Sequence, residues 1–153
     1  MRILFLGDIV GPSGCKAVKK YLPEIIIKEN LDFVVANGEN AADNGAGITE
    51  KISNELYNCG INVITTGNHV WDQKETVEYI EKEKKLLRPH NLITPTPGKG
   101  FEIFSTKNNF KVGVLNLMGN VFMKKCDDVF IVTEKFLKNY NLKKDYDFLI
   151  IDL

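Results

Sequence analysis

The 153 residues carry 20 basic and 20 acidic side chains, a formal net charge of zero, with 44% hydrophobic and 26% charged residues. This is one domain's worth of ordinary globular chain, and its charge balance argues against recognition of nucleic acid through bulk charge. No apolar stretch nears the ~20 residues of a membrane span, and the opening run Ile3-Leu4-Phe5-Leu6 stops at Gly7-Asp8, short of the ~7–15 apolar residues of a secretory signal. A cytoplasmic location without membrane association is therefore expected. The three cysteines, Cys15, Cys59 and Cys126, are widely spaced and form no C-x-x-C pair, so neither a disulfide framework nor a cysteine zinc site is expected.

Taken in order, Arg2 to Leu6 reads as a strand, and its unbroken apolar character is that of a parallel strand with helices on both faces. Val18, Leu22 and Ile25-Ile26 follow at helical spacing, with Pro23 expected to kink or divide that helix. Leu31 to Ala36 and Ile61 to Thr65 repeat the strand type, separated by a helix through Ile52 and Leu56. Thr49 is a candidate N-cap, and Gly60 suits the C-terminal end of that helix. Asp72 is a second candidate N-cap, with Glu75 in capping-box position. Short apolar runs alternating with amphipathic stretches predict an α/β fold. Beyond Pro89, Pro95 and Pro97 the chain reads as a loop, then a β-hairpin of Phe101 to Ser105 and Lys111 to Leu117. A helix around Thr133 to Tyr140 and a strand from Asp147 to Asp152 complete it. The chain stops just after one of its most apolar strands, so 1–153 is expected to be a single domain incomplete at its C-terminus.

Polar residues follow the apolar runs: Gly7-Asp8, Asn37-Gly38-Glu39-Asn40, Gly67-Asn68-His69, Asn116 to Asn120, and Asp152. Ligands of open α/β sheets bind beyond the carboxyl ends of the strands, so these groups are expected to share one rim. Carboxylates, amides and an imidazole together suit hard or borderline metal ions. Local readings remain beside this one. Asp8 can simply end a strand, Glu39-Asn40 can be a turn pair, and Asn68-His69 a turn with a packed histidine. His90 reads as an ordinary loop histidine, and Arg88 as a surface arginine with phosphate contact as the alternative.

The segments Met1 to Gly11, Asn37 to Ala42, Gly67-Asn68-His69, Arg88-Pro89, Thr96 to Gly100 and Asn116 to Gly119 resemble, in order and spacing, the YmdB-like family of calcineurin-like metallophosphoesterases. The resemblance implies an α/β/β/α sandwich and a dinuclear centre of iron or manganese. It implies hydrolysis of phosphodiesters such as 2′,3′-cyclic nucleotides by a metal-activated water. On the same ground Asp8 ligates one metal, Glu39 bridges both, Asn68 ligates the second, and Asn40 supports a ligand or orients phosphate. His69 matches the histidine that protonates the leaving oxygen, a role suited to imidazole because its pKa lies nearest neutrality.

Three departures qualify that reading. The family's later histidine ligands have no counterpart, since His69 and His90 are the only histidines. The loop from Ala42 to Gly47 carries an extra residue, and Asn120 stands where the family often has arginine. A di-metal site is therefore not expected to close within this chain. The half domain is expected to expose a large apolar face, and a second polypeptide supplying the missing half, or self-association, would cover it. The alternative is a non-catalytic remnant or a nucleotide-binding or interaction module; Gly7 to Gly11 only loosely matches a phosphate-cradling glycine loop.

Overall fold

The computed structural model describes residues 1–93 and 95–153. Strand β1 (Ile3–Asp8) pairs in parallel with β2 (Phe33–Asn37), and the two are joined by helix α1 (Gly11–Glu29). Pro12 sits in the first turn of α1, where its missing N–H costs nothing, and Asn30 closes the helix at a left-handed φ of 48°. Pro23 lies inside α1 without dividing it, so the division that the sequence offered beside a kink does not occur. Cys15 and Leu22, packed with Val18 and Ile26 against the sheet, hold the helix across the lost hydrogen bond.

Helix α2 (Glu50–Asn58) is capped by Thr49, whose Oγ1 accepts from Ile52 N at 3.2 Å. Gly60 lies just beyond it at φ +105°, as its position predicts. Strand β3 (Val63–Thr65) extends the parallel sheet. Helix α3 (Thr76–Lys82) leads into a two-residue strand β4 (Leu86–Leu87), whose brevity leaves no periodicity to read. Asp72 does not cap α3, which begins four residues later. Glu75 instead accepts from Glu50 N at 3.0 Å, so it serves the start of α2 across space, while Asp72 is engaged by His69.

The hairpin is present as β5 (Phe101–Ser105) and β6 (Lys111–Asn116), antiparallel, with Asn109 at φ +62° in its turn. Helix α4 (Val129–Asn139) starts earlier than its apolar spacing indicates, because Asp128 accepts from both Phe130 N and Ile131 N. The last strand, β7 (Phe148–Asp152), lies parallel to β6.

The strands form a sheet β1-β2-β3-β4 and a second sheet β5-β6-β7. Alternate residues of the first sheet divide between two cores. Val34, Ala36, Ile64 and Leu86 pack with Leu22 of α1 and Leu56 of α2. Phe33, Val35, Val63 and Leu87 pack with Val112, Val114 and Ile150 of the second sheet. Leu115, Leu149 and Phe101 on that sheet's other face meet Val132 and Phe136 of α4. The layers run α/β/β/α. This is the α/β/β/α sandwich that the family resemblance implies, whereas the helices on both faces expected from the apolar strands alone are corrected to helices on one face and a sheet on the other. Unbroken apolarity reports burial on two sides without specifying what buries them.

The large exposed apolar surface expected of a half domain is not the inner face of the first sheet, which the second sheet covers. Apolar exposure falls at strand edges, as at Phe5 on β1 and Ile151 on β7, on the outer faces of α1 and α4, as at Ile27 (81%) and Phe130 (81%), and in the loop before α4, at Val121 and Phe122.

Candidate metal and phosphodiester site

Asp8 reaches the rim through an irregularity. Leu6 pairs with Ala36, but the next pairing is Asp8 with Asn37, so Gly7 is skipped and the strand's alternation is shifted just before the carboxylate. Ile9 N then donates to Asn37 O at 2.9 Å, which anchors the chain beyond Asp8. Asn40 Nδ2 donates to Asp8 Oδ2 at 2.7 Å. With its nitrogen committed to Asp8, Asn40 offers Oδ1 as its electron-donating atom.

The turn carrying Glu39 is held from several sides. Gly38 N donates to Thr65 O at 2.9 Å, Gly11 N to Asn40 O at 2.8 Å, Gly47 N to Glu39 O at 2.6 Å, and Glu39 N to Asn37 Oδ1 at 3.0 Å. Its carboxylate points toward the Gly67 turn. A Cβ at Gly67 would lie 1.9 Å from Glu39 Oε2, so only glycine leaves room for that oxygen. Among the described residues Glu39 Oε2 is buried with no hydrogen-bond partner. Burial first, and the neighbouring Asp8 second, push the Glu39 carboxyl above the usual range; His69 and the backbone N–H groups of His69 and Asn68 oppose the shift. A buried, donor-starved carboxylate oxygen next to a second carboxylate is costly by itself. A cation against it supplies both the missing charge and the missing partner, so the donor set fits a metal ion.

His69 Nδ1 lies 2.6 Å from Asp72 Oδ2, both side chains partly exposed. Sequence reasoning missed this role for Asp72. The signal was a carboxylate three residues after a rim histidine, and it was assigned to a helix cap instead. The pairing commits Nδ1 and leaves Nε2 for proton transfer. The structure therefore joins Asp8 with Asn40 directly and places the Glu39 carboxylate against the Gly67 turn that leads into Asn68 and His69.

Arg88 is not the surface residue that the sequence led us to expect. It is buried, with Nε donating to Pro97 O at 3.0 Å and Nη1 to Pro89 O at 2.8 Å, so it ties the proline-rich loop together. His90 packs edge-on to Phe136, with ring centroids 6.1 Å apart. Asn120 donates to the carbonyls of Cys126 and Asp127 and closes its own loop. Among the described residues no three His, Cys, Asp or Glu side chains converge as a metal set, because the donors here are two carboxylates and amides.

Residues 4–153 match the model of the YmdB-like protein family. The chain belongs to that family. A 2′,3′-cyclic-nucleotide 2′-phosphodiesterase of Bacillus subtilis (strain 168) is 40% identical over 149 residues, which cover 97% of this chain and 56% of that protein. A hypothetical protein from Thermus thermophilus superimposes with a TM-score of 0.88 at 33% identity, over 99% of this chain and 56% of that one. A phosphatase from Mycoplasma pneumoniae gives 0.84 at 33% identity, over 96% and 52%. The YmdB-like chain thus spans about half the length of these relatives, and its fold is part of the metallophosphoesterase sandwich. No helix among the described residues is long and apolar enough to cross a membrane.

Proposed function

We propose that this chain carries one half of a metal-dependent phosphodiesterase site acting on 2′,3′-cyclic nucleotides. The observation that carries the proposal is the buried, unpartnered Oε2 of Glu39, held beside Asp8 in a space that Gly67 keeps open. Asp8, Glu39, Asn40 through Oδ1, and Asn68 would hold two iron or manganese ions. Such ions, when bound, neutralise charge on the phosphoryl group and make a water acidic enough to attack phosphorus. His69 donates a proton from Nε2 to the departing oxygen, and Asp72 fixes the ring orientation that makes Nε2 available.

Two carboxylates do not fill two metal shells, so the remaining ligands come from protein beyond these residues, either in the same chain or from a second polypeptide. The substrate assignment is taken from the Bacillus relative. Cytoplasmic residence belongs to the same proposal, and the free thiols Cys15, Cys59 and Cys126 suit a reducing compartment.

The test joins this chain to the part of the Bacillus relative that it does not cover and follows 2′,3′-cyclic-nucleotide hydrolysis with added manganese. Metal-dependent turnover that disappears in Asp8→Ala and Glu39→Gln is expected. Turnover undiminished in both variants sinks the proposal. His69→Ala should keep its manganese while losing about 10²–10⁴-fold in kcat, the usual contribution of a general acid; if it loses the metal instead, His69 is a ligand.

A further inference from the structure

Strand alternation places a polar layer between the two sheets at their carboxyl ends. On β2, Phe33 and Val35 face the second sheet, and two residues on comes Asn37; on β3, Val63 is followed by Thr65. On the facing strands Val112 and Val114 lead to Asn116, and Ile150 to Asp152. The polar residues are connected across the sandwich. Asn116 is fully buried, and its Nδ2 donates to Thr66 O at 2.8 Å and Leu87 O at 3.0 Å, tying β6 to the turn that leads into Gly67-Asn68-His69. Asn37 Nδ2 donates to Asp152 Oδ2 at 3.0 Å, and Asn37 Oδ1 accepts Glu39 N at 3.0 Å.

We infer that Asn37 and Asp152 form an inter-sheet clamp that positions Glu39. An asparagine amide presents an acceptor on one side and donors on the other, and a half-turn exchanges them. Glu39 N–H needs the acceptor side. An ionised carboxylate accepts only, so Asp152 commits Asn37 to turn Nδ2 across the sandwich and thereby Oδ1 back to Glu39. The reversed amide would set NH2 against the Glu39 N–H and leave Asp152 facing an oxygen. Both side chains are partly buried, which limits the competition from water. The positioning of the Glu39 backbone, and with it the direction of the carboxylate toward Gly67, therefore depends on a residue of the other sheet. Asp152 and Asn37 are positioning residues, and the purpose assigned to them rests on reading Glu39 as a cation ligand.

The experiment is amide hydrogen exchange by NMR on the full 153-residue chain, with manganese titration followed by EPR. In Asp152→Ala the Glu39 amide should exchange about tenfold faster, the effect of losing one charge-assisted hydrogen bond, while the amides of Ser53 and Leu56 in α2 keep their protection. The paired exchange Asn37→Asp with Asp152→Asn reverses the donor and acceptor across the sheets yet still offers an acceptor to Glu39 N–H, so it should restore the parent rate where Asn37→Asp alone does not. If Asp152→Ala fails to fold, Asp152→Asn preserves shape and removes only the acceptor-only character, and it should still speed Glu39 exchange measurably. Equal Glu39 exchange in the parent, Asp152→Ala and Asp152→Asn overturns the clamp, as does a paired exchange that restores nothing. Manganese affinity should fall and recover in parallel with the exchange rates. Glu39 exchange that responds as expected while manganese affinity stays constant would retain the clamp and discard Glu39 as a ligand.

Discussion

The two sheets of this molecule divide its work unevenly. Asp8 ends β1, and Glu39, Asn40, Asn68 and His69 follow strands of the same four-stranded parallel sheet, whose carboxyl ends share one rim. The three-stranded sheet brings to the same end Asn116 and Asp152, which reach across to groups of the first sheet. On the proposed reading, one sheet supplies the candidate ligands and the other holds their turns in place. Residues that touch no substrate can therefore govern the site, and damage in either sheet should be distinguishable by what it removes.

The largest expected effect separates site from scaffold within the first sheet. Gly67→Ala drives a methyl group into the Glu39 carboxylate, so manganese binding measured by EPR should be lost while far-UV circular dichroism is unchanged. A variant that binds manganese like the parent would show that Glu39 does not need the space beside Gly67. In the second sheet, Leu115 is fully buried against α4, and Leu115→Ala should cost about 2–5 kcal/mol in urea unfolding. Its folded fraction should retain the rim, since Leu115 faces away from the first sheet.

A smaller effect sharpens the comparison through pH. Burial, and then the Arg88 guanidinium, hold the His90 imidazole below its usual value of 6.5. A group whose folded value is depressed contributes stability above its unfolded value and loses it as pH falls through the folded one. The chain should therefore lose stability as pH drops below about 6.5, and His90→Gln should lose less over the same window, compared by urea unfolding at each pH. The smallest effect is on the outer helix. Lys138 and Glu134 form an exposed pair at 2.8 Å, and Lys138→Ala should cost about 0.3–0.5 kcal/mol, diminishing as salt is added.

Much of this was legible in the amino-acid order. Strand positions emerged from apolar runs, the hairpin from two such runs flanking Lys107-Asn108-Asn109, and the α2 cap from Thr49, because each is a local preference. Where local rules misled, a partner outside the expected element had intervened. Asp72 resembles a helix cap until His69 takes its carboxylate, and Glu75 caps a helix that precedes it by many residues. Pro23 is expected to kink or divide a helix, yet α1 runs on through it, because packing of its neighbours on the sheet outweighs one lost hydrogen bond. Arg88 looks like a surface residue because nothing in its neighbourhood reveals that Pro97 O will satisfy it inside.

By itself the sequence determined where the strands lie and which polar residues stand at their ends as candidates, because side-chain chemistry and period-two alternation are properties of short segments. Only the tertiary structure decided that Asn37 would meet Asp152 across the gap between the two sheets. It also decided that one oxygen of Glu39 would be buried without a partner. The physical reason is that burial and hydrogen-bond satisfaction are sums over all neighbours in space, and those neighbours lie far apart in the chain.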